Sequence, residues 1–315
     1  MKNRCPAPLW GLAFTVLIAS TGSGATVAQA APITYDASVV HDGVRRWYRV
    51  YAPAFVGAEP ERPLVLVLHG MGGTGPGAQW LTRFDATADA LGLIAVYPTG
   101  TNRNGRCCEW NDDWPAGDGP DDVGFLDLVV EAVASRYRVD PGRIYVTGLS
   151  NGGLMTLRLA CTRTGTYAAF APVASTLTTS LLALGCDPTP KRMLLINGDA
   201  DPLVLYKGGP MPRPADGVGL GAKKTRNYFA RQYGCEPVWT ATDSDPDPSD
   251  LTMLRTWTSA PCNGRPVDVT LIQIKGGGHT WPNQRNPTWW WPLVAGPVSR
   301  DFDGGLAIGQ WFLSE

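Results

Sequence analysis

The chain has 315 residues, with 27 basic and 28 acidic side chains and a formal net charge of -1. A balance this close to neutral leaves no electrostatic footprint for nucleic acid or for an anionic membrane surface as partner. Glycine and proline are abundant, at 37 and 27, but follow no repeat, so the composition describes a loop-rich globular protein rather than a collagen-like or disordered one.

Residues 1–30 have the layout of a secretory signal peptide: Lys2 and Arg4, an apolar core from Leu9 to Ile18, then Ala28-Gln29-Ala30. That core is too short to span a bilayer, so the expectation is a secreted protein in which residues 31–315 form one large α/β domain. Cleavage would remove Cys5 and leave Cys107, Cys108, Cys161, Cys186, Cys235 and Cys262. An even number in an oxidising compartment favours disulfides. Local spacing suggests Cys161 with Cys186 and Cys235 with Cys262, leaving adjacent Cys107 and Cys108 for each other, although sequence does not choose among the connectivities. No Cys-x-x-Cys spacing is present, so neither a zinc site nor a redox pair is expected.

In chain order, Ile33–Val40 and Val44–Tyr51 read as two strands joined by the turn His41-Asp42-Gly43, with His41 in solvent. Pro63–Leu68 is a continuous apolar run suited to a strand buried on both faces. It ends at His69-Gly70-Met71-Gly72-Gly73-Thr74-Gly75, which satisfies the Gly-x-Gly-x-x-Gly dinucleotide fingerprint. Two features count against that reading: the candidate helix Gln79–Ala90 starts too late, and the next strand, Leu93–Tyr97, ends at Pro98 rather than on an acidic residue. A strand, His-Gly and a glycine loop also build half of an oxyanion hole in α/β-hydrolases, with the Met71 N–H aimed at the substrate oxygen.

Residues 102–119 form a polar loop containing Trp110 and Trp114, placed at the mouth of a site, and a helix is expected from about Phe125 to Tyr137. The strand Ile144–Thr147 then runs into Gly148-Leu149-Ser150-Asn151-Gly152, a Gly-x-Ser-x-Gly elbow, with a helix following through Leu154–Ala160. Ala168–Ala174 is a further apolar run. Strands alternating with helices in this way predict a doubly wound, mostly parallel sheet with helices on both faces.

A serine hydroxyl needs an imidazole to take its proton and an acid to hold that imidazole in the right tautomer. The chain has 3 histidines, and His279 alone follows Ser150, in a glycine turn after the strand-like run Val267–Ile274. Both Asp199 and Asp201 follow the strand Met193–Asn197 and are candidates for the acid. Spacing favours Asp201, because Asp199 is close enough to the strand end to cap a turn. The acidic stretch Asp243, Asp245, Asp247 and Asp250 reads as a solvated hairpin tip.

These motifs, namely the Ser150 elbow, Gly198-Asp199-Ala200-Asp201-Pro202-Leu203-Val204, Gly277-Gly278-His279-Thr280-Trp281-Pro282, Asp122-Val123-Gly124-Phe125 and Cys107-Cys108, together resemble the secreted polyhydroxybutyrate depolymerase and feruloyl esterase family. The resemblance spans the chain from about Thr34 to Phe312. It implies an α/β-hydrolase fold, with Ser150 as nucleophile, Asp201 as acid, His279 as base and the Met71 and Asn151 backbone N–H groups as oxyanion hole. Asn197 stands where the family commonly has a histidine, and Trp289-Trp290-Trp291 is no recognised family feature.

The function expected on this basis is hydrolysis of polyester or polysaccharide-linked esters by a monomer without metal or cofactor, the acetyl-xylan or aromatic polyester esterases of the same fold being the alternative. Trp110, Trp281 and Trp289 are the candidates to bind an aromatic acyl group or stack on sugars. A nucleotide-dependent oxidoreductase and a non-catalytic binding protein are the competing classes.

Overall fold

A computed structural model describes residues 31–54, 60–101, 107–112, 119–212, 217–236, 238–264, 267–286, 288 and 291–314. The signal-peptide segment, Trp114, Trp289 and Trp290 lie outside the described residues. One ten-stranded sheet runs through the molecule, and its centre is parallel: β4 (Ile94–Pro98), β3 (Arg62–Leu68), β5 (Val139–Leu149), β6 (Ala169–Val173), β7 (Arg192–Gly198) and β12 (Val269–Lys275), side by side in that order. The hairpin β1 (Ile33–His41) and β2 (Val44–Ala52) adds antiparallel strands beside β4, and β10 (Trp239–Ser244) with β11 (Met253–Ser259) does the same beside β12. Two short strands, β8 (Gly209–Pro210) and β9 (Val218–Gly219), pair apart from this sheet, and α5 (Thr179–Leu184) and α7 (Trp291–Ala295) are short connecting helices.

The central strands are apolar on both faces because both faces are covered. Successive residues point to opposite sides, so Leu64, Leu66 and Leu68 join the core under α3 (Asp122–Ala134), α4 (Asn151–Thr162) and α6 (Ala222–Gln232). Val65 and Val67 join the core under α1 (Gly75–Thr82), α2 (Phe84–Leu91) and α8 (Gly304–Leu313). The winding leaves β3 for β4 on one side, then crosses to β5 on the other, so the loops that follow β3 and β5 part. In parallel α/β sheets ligands enter at such a switch point. Here it lies between the loop bearing Met71 and the turn bearing Ser150.

Three local expectations are corrected. The helix expected over Gln79–Ala90 is two helices, α1 and α2, broken at Arg83, whose φ is 54° and whose guanidinium donates to the Asn283 carbonyl at 2.6 Å. The first begins at Gly75, within the glycine loop, with Thr74 as N-cap accepting from the Gly77 N–H. Late helix onset is therefore no argument against a dinucleotide fold; the absence of an acidic residue at the end of β4 still is. Residue 75 must be glycine because a Cβ there would strike the Tyr97 backbone of β4.

His41 is the last residue of β1, its side chain only 17% exposed, with Nε2 3.0 Å from Asp121, the N-cap of α3. It ties the edge hairpin to that helix rather than standing in solvent. The acidic stretch is the tip of the β10–β11 hairpin, as expected, with Asp243 and Asp245 exposed, and two of its members are also anchored. Asp247 and Asp250 accept from Arg300, and the Asp247 N–H donates to Asp301 at 3.0 Å. Among the described residues, no helix is long and apolar enough to cross a membrane.

Candidate active site

Ser150 joins β5 to α4 with φ 57° and ψ -120°, a left-handed conformation that is costly for a residue with a side chain. The surroundings hold it there. Its N–H donates to the Val173 carbonyl at 3.0 Å, and its own carbonyl accepts from the Ser175 hydroxyl at 2.6 Å. The helix can start this close to the strand only because Gly148 and Gly152 lack side chains: a Cβ on Gly148 would sit 2.5 Å from the Gly152 carbonyl oxygen. A turn of this kind presents its hydroxyl at the carboxyl edge of the sheet and the first N–H groups of α4 beside it.

His279 lies in the turn after β12. The Gly278 and His279 N–H groups donate to the Pro297 and Ala295 carbonyls at 2.9 and 2.5 Å, which pins the turn to the chain that leads toward α8. The imidazole Nδ1 is 2.8 Å from Asp201 Oδ2, and both side chains are almost wholly buried, at 5% and 1% exposure. Asp201 has its other oxygen, Oδ1, occupied by the N–H groups of Leu203 and Val204, both at 2.8 Å. An ionised carboxylate only accepts, so Nδ1 carries the proton and Nε2 is the basic nitrogen. Asp199 does something else. Its two oxygens accept from the Gly276 N–H at 2.7 Å and from Gln273 Nε2 at 2.9 Å, capping the end of β12.

Of the oxyanion candidates, Met71 is half-exposed in the loop after β3, and Asn151 is the first residue of α4. The tryptophans depart from expectation. Trp110 and Trp281 are both fully buried. The Trp110 indole N–H donates to the His69 carbonyl at 2.9 Å and its ring lies against the His69 imidazole, centroids 4.9 Å apart. Trp281 packs in the core beneath α8, against Gly304. Neither presents a face to an acyl group, because each is consumed in closing the interior; the third candidate, Trp289, lies outside the described residues.

Two residues that the sequence named without a role turn out to brace the site. The Asn197 amide donates to the Ser175 carbonyl at 3.1 Å, steadying the loop that holds Ser150. His69 is a fixed bracket: Nδ1–H donates to the Gly70 carbonyl at 2.8 Å, and Nε2 accepts from the Gly100 N–H at 2.9 Å. Burial, against the weaker pull of the Gly70 bond, pushes its pKa from 6.5 down to about 4. The native state therefore resists protonation that the unfolded chain accepts. The His69 contribution to stability is fully present above pH 6.5 and should be lost as pH drops from 6.5 to 4, about 3 kcal/mol in all. Urea unfolding at steps across that range should show this slope in the parent protein and a flatter one in His69→Gln; equal slopes would remove His69 as the cause. Among the described residues, one cluster has metal-ligating types, His41, Asp42 and Asp121, and it sits at the edge hairpin. The cysteines pair as Cys107–Cys108, Cys161–Cys186 and Cys235–Cys262, the pairing that local spacing suggested.

Comparison with known proteins places this arrangement. Residues 47–179 match the family model described as "Esterase PHB depolymerase". The protein named "Putative esterase NocK" from Nocardia uniformis subsp. tsuyamanensis is 34% identical over 275 residues, covering 83% of this chain and 77% of that one. Feruloyl esterase B from Neurospora crassa is 35% identical over 161 residues, half of each chain. A bifunctional acetylxylan esterase/xylanase from Neocallimastix patriciarum is 25% identical over 268 residues, 84% of this chain and 36% of that one. Among solved structures, the acetyl xylan esterase from Aspergillus awamori superposes with a TM-score of 0.54 at 17% identity, over 78% of this chain and 94% of that one, a likeness of fold. A sheet wound as an α/β-hydrolase, the family-model match and a relative that is 34% identical over 83% of this chain make the chain a member of the esterase PHB depolymerase family, whose members are carboxylic ester hydrolases.

Proposed function

We propose that the protein is a secreted serine esterase that cleaves polymeric or oligomeric esters, of a polyester or of feruloylated or acetylated polysaccharide, through an acyl-enzyme on Ser150. The observation that carries this reading is the buried Asp201–His279 pair, placed by the ends of β7 and β12 on the same edge of the sheet as the Ser150 elbow. His279 Nε2 takes the Ser150 proton as Oγ adds to the ester carbonyl. The resulting oxyanion is met by the Met71 and Asn151 N–H groups, fixed backbone dipoles that need no reorganisation as charge develops. Collapse breaks the bond to the alcohol, which leaves with the proton from His279. Water, deprotonated by the same imidazole, then adds to the acyl-enzyme and releases the acid.

Support for the substrate class comes from the relatives, which are named for feruloyl, acetylxylan and hydroxyalkanoate esters. A fluorophosphonate should add once to the protein, and peptide mapping should place the adduct on Ser150. An adduct elsewhere, or none, overturns the assignment. Rates on methyl ferulate, acetylated xylan and a hydroxybutyrate oligomer then rank the esters, and inactivity on all three rejects the substrate class.

A further inference from the structure

The two oxyanion donors sit on different elements, Met71 after β3 and Asn151 at the start of α4, and a hole works only if their spacing is fixed before the substrate arrives. One short segment touches both. On the Met71 side, the Cys108 carbonyl accepts from the Gly72 N–H at 2.7 Å and the Trp110 indole donates to the His69 carbonyl at 2.9 Å, so Met71 lies between two anchors. On the Asn151 side, the side-chain amide embraces the Trp110 backbone: Oδ1 accepts from the Trp110 N–H at 2.7 Å, and Nδ2 donates to the Trp110 carbonyl and to Asp112, both at 3.2 Å. The far end of the segment is held in turn, since the Asn111 N–H donates to the buried Asp122 carboxylate at 2.7 Å. Trp110, Asn111, Asp112 and Asn151 are all buried.

We propose that residues 108–112 are the strut that sets the oxyanion hole, with Trp110 as its positioning residue and the Asn151 side chain as the clamp. The strut rests on the reading of Met71 and Asn151 as oxyanion donors. It explains why a tryptophan placed at the mouth of the site by sequence is wholly buried: its ring and its indole N–H both serve the His69 turn. It also gives Asn151 two separable tasks, the backbone N–H facing the site and the amide facing the strut.

Trp110→Phe tests this, because phenylalanine keeps a ring against His69 and removes the indole N–H. The expected result on a short-chain chromogenic ester is a 10- to 100-fold fall in kcat with KM within about twofold, since a small misplacement of a donor costs the transition state and not substrate binding. Affinity for an aryl trifluoromethyl ketone, which forms a tetrahedral oxyanion on the serine, should fall in proportion to kcat/KM. Asn151→Ala, which keeps the backbone N–H, should give the same pattern and carries the test if Trp110→Phe does not fold. A folded variant with kcat and ketone affinity unchanged overturns the strut, as does one whose KM alone rises. A parent protein that neither cleaves the ester nor binds the ketone overturns the esterase mechanism instead, so the two failures are distinguishable.

Discussion

Ser150→Ala is expected to lower kcat on a short-chain chromogenic ester by roughly a millionfold, leaving the fold and its unfolding midpoint intact. His279→Ala should fall about as far, and the double variant no further, because nucleophile and base act as one unit. Asp201→Asn is the more informative change. The Leu203 and Val204 N–H groups both require an acceptor at the Oδ1 position. An asparagine that satisfies them keeps its oxygen there and turns its NH2 toward His279. That donor faces Nδ1 and forces the proton onto Nε2, the wrong tautomer for a base, at a cost of about ten-thousandfold in kcat. Asp199→Asn touches only the cap of β12 and should change kcat by less than about threefold. Steady-state rates on the four single variants settle the matter; an Asp199 effect exceeding that of Asp201 would reassign the acid.

The second large effect concerns stability. Arg46 and Asp122 form an ion pair that is 2% and 0% exposed, with the guanidinium also 4.0 Å from the Phe125 ring centroid. Burial raises the Asp122 pKa even against the pull of Arg46. Arg46→Met leaves that carboxylate in the core without its cation and should cost about 3–5 kcal/mol, a fall in Tm on the order of 10 °C. Arg46→Met with Asp122→Leu should recover part of this, since a matched apolar pair is often as stable as the ion pair. Recovery stays incomplete because the Asn111 N–H then loses its acceptor. Urea denaturation measures both; a single variant as stable as the parent would mean that the pair contributes nothing.

What the sequence determined by itself was the set of candidate residues and their order along the chain. A nucleophile elbow needs Gly-x-Ser-x-Gly between strand and helix, and with His279 alone following Ser150 the base had one candidate. The winding of the sheet was equally legible, because strands buried on both faces must read as unbroken apolar runs such as Pro63–Leu68. Less visible were α6, whose inward residues include Thr225 and Arg226, and the break at Arg83, which depends on a carbonyl 200 residues away.

Spacing along the chain favoured Asp201 over Asp199, but only the tertiary structure brings Asp201 to the imidazole and turns Asp199 onto the end of β12, through a turn where a Cβ on Gly198 would strike the Gly277 backbone. Trp110 and Trp281 looked like binding surface because loop tryptophans often are; burial is a property of what packs above them, and a sequence does not state it. The contacts that hold His69, Met71 and Asn151 come from a loop distant from all three in sequence, so no local pattern announces them.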